Sequence, residues 1–241
     1  MCCNPKSILF NTKMVKAVLD GIKTQTRRVV GDKILNRIYK YDCYIEDGKI
    51  FESCMCQGMP DGSGGLEVDR WEEDVTTTYS KYKVGDVLWV REPVKVTKAC
   101  NDTLKMEFEY LSDGTKKIID IPKKYLDEYD FIKNNCFLAK LNQLHYDKKY
   151  VGVPNGCLKE MARIFLKVTN VRVERLKDIK YSDMEKEGVS YKDFLVKEGV
   201  SINEQFQRNW VNLWNSTSNN GYKWEDNPFV FVYEFEKVEV C

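Results

Sequence analysis

Lys23, Thr24, Gln25, Thr26, Arg27 and Arg28 stand in one unbroken row, with three cations, two hydroxyls and an amide in six residues. Such a segment suits contact with an anion or a nucleotide, and its blander reading is a solvated, partly paired basic edge. The surroundings favour neither outright. From Lys13 to Lys40 the cations are Lys13, Lys16, Lys23, Arg27, Arg28, Lys33, Arg37 and Lys40, opposed only by Asp20 and Asp32. The chain as a whole carries 38 Lys and Arg against 37 Asp and Glu, so binding to nucleic acid has to come from this local clustering.

Two elements position the row. Asn11 or Thr12 is placed to cap a helix whose Met14, Val15, Val18, Leu19 and Ile22 recur at helical spacing, and Gly21 suits the left-handed residue that ends it. Lys23 to Arg28, followed by Val29 and Val30, then read as a turn entering a strand. Further along, Asp47-Gly48 marks a hairpin and Val87 to Val90 a buried strand. Trp89, Arg91 and Glu92 lie at that strand's emerging end, where clefts are commonly lined. Lys105 to Tyr110 and Lys116 to Ile121 form a second hairpin about Asp113-Gly114, and Ile164 to Glu174 a long strand kinked near Asn170. Ser182 with Glu185, and Ser201 with Glu204, have capping-box spacing for two helices. The second helix carries Phe206, Trp210, Leu213 and Trp214, a stripe suited to core packing or, less readily, to base stacking. Phe229 to Val238 alternates as a closing strand.

Several chemistries lose their markers. The single histidine, His145, argues against His-based hydrolysis or a His-rich metal centre. No G-x-x-x-x-G-K-[ST] loop and no G-x-G-x-x-G follows a strand, so ATP and dinucleotide cofactors are not expected. Cys54 and Cys56 form a C-x-C with Cys43 nearby, but no C-x-x-C pairing accompanies them and no metal is expected. Nine cysteines, an odd number, without an apolar leader in MCCNPKSILF point to reduced thiols and a cytoplasmic protein. No apolar run approaches the roughly 18 residues of a membrane span.

Ser7 to Val30, SILFNTKMVKAVLDGIKTQTRRVV, resembles the opening of phage-type proteins carrying an ASCH domain, relatives of the PUA-like RNA-binding barrels. Val84 to Glu92 (VGDVLWVRE), Met161 to Gly188 and Phe229 to Val238 fit the same resemblance. It implies an α+β fold: one domain over residues 1–241, a PUA-like mixed β-barrel with flanking helices and insertions at about 34–82 and 95–149. The family includes a small bacterial amidohydrolase that removes the acetyl group of N(4)-acetylcytidine, and its Lys-x-x-Thr-x-Arg motif resembles Lys23, Thr26 and Arg28. By that resemblance Thr26 is the nucleophile, Lys23 its base and Glu187 an acid/base or orienting group. Arg27, Arg28, Trp89, Arg91 and Glu92 are then the residues to bind a nucleoside or RNA.

Physics attaches two conditions to this assignment. A lysine with the ordinary pKa near 10.4 must fall by roughly three pH units, at a cost of about 4 kcal/mol, before it is an effective base at neutral pH. Burial and the charges of Arg27 and Arg28 push that way. Residues three apart in a regular strand also face opposite sides, so Lys23 and Thr26 meet only if the chain turns or bulges between them. Glu187, at the end of a short helix, faces the negative end of the helix dipole, which a solvated surface carboxylate tolerates easily. Two other classes fit the same chain: a non-catalytic RNA-binding module, and a phage-encoded module that binds another protein.

Overall fold

A computed structural model describes residues 4–40, 43–56, 69–100, 104–120, 157–189, 201–218 and 222–239. The Pro/Gly loop at 59–65 and the ambiguous stretch 125–145 lie outside them, as do Cys2, Cys3 and the side chains of Cys54 and Cys56. In chain order the first elements are β1 (Lys6–Leu9), α1 (Thr12–Leu19), β2 (Gln25–Val29), α2 (Asp32–Lys40), β3 (Cys43–Glu46), β4 (Lys49–Cys56), β5 (Asp69–Asp74) and α3 (Thr76–Tyr79). They are followed by β6 (Val87–Arg91), β7 (Val94–Cys100), β8 (Lys105–Tyr110), β9 (Lys116–Asp120), β10 (Phe165–Arg175), α4 (Tyr181–Lys186), α5 (Ile202–Thr217) and β11 (Phe229–Val238).

The chain divides into two compact units. The first comprises Met1–Ile22, Val87–Lys167 and Lys237–Cys241. In it α1 starts where the Asn11 side chain accepts from Met14 N at 2.9 Å. It stops where Gly21, at φ 73°, donates to Val18 O and Ile22 donates to Ala17 O, the paired bonds of a Schellman motif. β1 runs parallel to β6 with Ile8 opposite Val90, and β6 runs antiparallel to the start of β10 with Leu88 opposite Leu166. Those four side chains are buried because they share one phase of the strand alternation. β7, β8 and β9 form an antiparallel meander whose Met106, Phe108 and Tyr110 are fully buried.

The second unit comprises Lys23–Asp86 and Val168–Glu236. β11 lies between β10 and β2, and pairs antiparallel with β2. Val230 and Val232 on one face of β11 pack with Met184 of α4 and with Phe206, Trp210 and Trp214 of α5 in a single apolar cluster. The aromatic stripe of α5 is therefore core, and Phe206, Trp210 and Trp214 are not free to stack on a base. Ser201 caps α5 by accepting from Glu204 N. Ser182 does not cap α4: the helix begins one residue earlier, with Lys180 at the capping position and no side-chain cap. β3 and β4 are joined by Asp47 and Gly48, both at positive φ, the backbone that a tight right-twisted hairpin requires.

The architecture is mixed α+β, with several sheets and few helices. The expected barrel is not formed: β11, read as a closing strand, sits inside its sheet, and no pairing among the described residues closes either unit. The segment expected as the first insertion, 34–82, falls within the second unit, and 95–149 falls within the first.

Candidate functional site

The row from Lys23 to Arg28 is bent at its start. β2 begins at Gln25, so Lys23 and Thr24 lie outside the strand. Thr24 fixes the entry from both sides, its N–H donating to Lys186 O and its carbonyl accepting from Phe235 N, each at 2.9 Å. From there the Lys23 ammonium reaches the end of α4. It donates to the Glu187 carboxylate, to the Glu187 carbonyl and to the Gln25 carbonyl, each at 2.8 Å. Gly188, at φ 95°, ends the helix there and leaves Glu187 as its last half-helical residue. Lys23 thus satisfies a terminal carbonyl and offsets the carboxylate that the helix dipole disfavours. Neither residue is at the surface, since Lys23 and Glu187 are each 2% exposed.

Gln25 and Arg27 follow on one face of β2, also buried. Arg27 donates to the second Glu187 oxygen at 3.0 Å, to Glu174 at 2.6 and 2.8 Å and to Asp183 at 3.2 Å. Arg172 carries the chain of charges onward by donating to Asp183, Glu174 and Glu234. Glu187 is therefore bonded by two buried cations, while Arg27 faces three carboxylates.

The electrostatics follow from that arrangement. Burial lowers the Lys23 pKa, Glu187 partly restores it through its charge and hydrogen bond, and Arg28 and Arg27 lower it further. For Arg27 the charges of Glu187 and Glu174 outweigh burial and the pKa rises. For Arg28 burial dominates and the pKa falls, although Glu187 opposes the change. The site holds one buried cation whose proton is loosened and another whose proton is tightened.

Thr26 and Arg28 occupy the other face of β2, beside Tyr233 and Phe231 of β11. Thr26 is buried and Arg28 half-buried. Lys23 does not bond the Thr26 hydroxyl; it bonds the carbonyl of Gln25, one peptide unit away. The turn at Thr24 meets the geometric condition only that far.

Trp89, Arg91 and Glu92 belong to the first unit. Trp89 and Arg91 are half-buried. Glu92 is fully buried rather than lining a cleft, and both its oxygens receive the Arg163 guanidinium, at 2.9 and 3.0 Å. Arg163 also donates to Asp113 at 2.7 Å and lies 3.8 Å over the Tyr110 ring. Glu92 is thus a structural ion-pair partner here.

Asp183, Glu174 and Arg172 were not singled out from the sequence, although they complete the charge network. Glu174 and Arg172 are two apart on β10, a same-face spacing that carries the signal. Asp183 carried none, because the Ser182–Glu185 spacing drew it into a cap. Among the described residues no cluster of His, Cys, Asp and Glu could hold a metal ion, and no helix is long and apolar enough to cross a membrane. No family model, curated protein or solved structure matches the chain.

Proposed function

We propose that the chain recognises a modified nucleoside or RNA base, as its resemblance to ASCH proteins implies, and hydrolyses an N-acyl amide of the N(4)-acetylcytidine type. The observation that carries this reading is the contact of Lys23 with Glu187 at 2.8 Å, inside a site where burial and two arginines loosen the lysine proton. A lysine whose pKa is lowered by burial is what general-base work at neutral pH needs, and Glu187 opposes that shift without reversing it.

In this scheme Lys23 first gives up a proton to solvent; the Thr26 oxygen then attacks the acyl carbon and the neutral Lys23 amine takes the hydroxyl proton. The C–N bond breaks, the departing amine receives that proton, and water then hydrolyses the threonyl ester. The Lys23 ammonium lies with Glu187 on the Arg27 face of β2 and Thr26 on the other, so the transfer requires β2 to turn the hydroxyl toward the lysine. Glu187, fixed by Arg27, orients the amine and stabilises its charged form after proton transfer. Burial of Lys23 and Arg27 weighs against the alternative in which they contact RNA phosphates, since phosphate contacts are made by exposed cations.

Turnover of N(4)-acetylcytidine by the purified protein, lost in both Lys23→Ala and Glu187→Ala variants that remain folded by circular dichroism, is the expected result. A folded wild-type protein inert toward acylated nucleosides would overturn the hydrolytic reading.

A further inference from the structure

The charge network around Lys23 rests on a division of oxygen atoms. Glu187 offers Oε2 to Lys23 at 2.8 Å and Oε1 to Arg27 Nη1 at 3.0 Å. Arg27 turns its other edge, Nε and Nη2, to Glu174 Oε1 at 2.8 and 2.6 Å, and Nη2 also to Asp183 Oδ2 at 3.2 Å. Arg172 meets both of those acids from the far side. Its Nε donates to Glu174 Oε2 at 3.2 Å, its Nη2 to Asp183 Oδ2 at 3.1 Å and its Nη1 to Glu234. Two guanidinium groups thus clasp Glu174 and Asp183 between them, and Nη1 is the atom of Arg27 that reaches Glu187.

The stem of Arg172 is seated by the β3–β4 turn. Gly48, at φ 77°, accepts from Val173 N at 2.7 Å, and a Cβ there would stand 3.3 Å from the Arg172 Cβ. The Arg172 side chain is 24% exposed against 0% for Arg27, so it can be exchanged without opening the buried layer. The charged groups facing Lys23 are Glu187, Arg28 and Arg27. Those facing the two shared acids are Arg27, Arg172 and, for Asp183, Lys186 at 3.8 Å. Without Arg172, Glu174 and Asp183 would present two full negative charges to one guanidinium. Arg27 would be drawn toward them, its hold on Glu187 would weaken, and more of the Glu187 charge would fall to Lys23. Each of these changes has the same sign, which is to hold the Lys23 proton more tightly.

Resting on the hydrolytic reading above, we infer that Arg172 is a positioning residue: by clasping Glu174 and Asp183 from the far side, it keeps Arg27 aligned on Glu187 and Lys23 available as a base. It acts through Arg27 and Glu187 and adds nothing to the proton count of the reaction. The fork of a guanidinium is essential to this role, since a lysine is a point charge that cannot span two acids in the same way.

The test follows the Lys23 side chain by NMR in protein carrying isotope-labelled lysine, with the signal assigned by its loss in Lys23→Met. The pH dependence of kcat/KM for N(4)-acetylcytidine is measured in parallel. Arg172→Met removes both the charge and the clasp, and Arg172→Lys keeps the charge alone. Both variants are expected to match wild type in circular dichroism and to titrate Lys23 higher by roughly half a pH unit or more, the methionine variant further than the lysine one. A base that keeps its proton longer moves the ascending limb of kcat/KM to higher pH, a loss of roughly threefold or more at a fixed pH below the limb. A merely structural role would lower stability or kcat and leave the titration unmoved, and no titration at all between about pH 5 and pH 11 in the three proteins would count the same way. Either result would overturn the inference while the hydrolytic reading stood, as would a shift in Arg172→Met that Arg172→Lys fully restores. A shifted Lys23 titration with no turnover in any of the proteins would remove the hydrolytic reading and leave the hold of Arg172 on Lys23 standing.

Discussion

Replacing Glu187 by Gln removes the anion shared by Lys23 and Arg27 while keeping its shape. Arg27 retains Glu174 and Asp183, but Lys23 loses the carboxylate to which it donates at 2.8 Å, in a site 2% exposed. Removing one member of a buried pair costs about 3–5 kcal/mol when the other charge is stranded. Lysine has a way out, which is to release its proton. Holding a lysine of ordinary pKa near 10.4 neutral costs about 4.6 kcal/mol at pH 7 and about 1.9 kcal/mol at pH 9, which caps the penalty. The sign follows from proton counts: the folded variant holds Lys23 neutral while the unfolded chain binds that proton, so stability of the variant rises with pH by about 1.4 kcal/mol per unit. Urea unfolding of wild type and Glu187→Gln between about pH 6 and pH 9 reads this directly. The expected loss is roughly 3–4.6 kcal/mol near neutrality, shrinking to about 2 kcal/mol at the alkaline end. A loss independent of pH, or one below about 1 kcal/mol throughout, would refute the account of Lys23 as a buried cation dependent on Glu187. The double variant Lys23→Met with Glu187→Gln supplies a second check, since it removes both charges and should recover most of the loss.

Other expectations concern the rest of the molecule. Arg163→Met strands the fully buried Glu92 carboxylate and should cost about 3–5 kcal/mol in chemical denaturation; Arg163→Lys should rescue little, because the two-oxygen clasp needs a guanidinium. Trp210→Ala should cost about 3–5 kcal/mol, whereas Trp210→Phe should cost clearly less: the indole N–H is buried without a partner, so its loss forfeits no hydrogen bond. Burial pushes the Cys157 thiol from 9.0 up to about 11, so the folded state keeps a proton that the unfolded chain loses. Stability should fall as pH rises through that interval, and Cys157→Ala should flatten the decline in thermal melts.

Local structure was legible where one short stretch decides it. The Asn11 cap, the Gly21 stop, the Asp47-Gly48 hairpin and the Ser201 cap each depend on two to five neighbouring residues, and each forms where the pattern places it. Pairing between distant strands was not legible. The aromatic alternation of Phe229 to Val238 fits a closing strand and an interior strand equally well, and only the partners on both sides of β11 decide between them. The candidate site divided the same way. Lys23 and Glu187 were named through resemblance and do meet, but the burial that shifts Lys23 comes from elements up to 164 residues away. Glu92 was expected at a cleft because strand ends often open there. Its partner Arg163, 71 residues on, gave no local sign of reaching it.

The span between Lys23 and Glu187 also sets a timetable for a nascent chain. At about 5–20 residues per second, the ribosome finishes α4 roughly ten to thirty seconds after it has made β2. Until then Lys23 and Arg27 lack Glu174, Asp183 and Glu187, the carboxylates they bond in the folded unit. A six-residue helix such as α4 is also too short to persist alone in water, so it cannot wait preformed for its partner. The basic row must therefore stay hydrated through most of synthesis and be buried in one late step, with the helix that closes over it.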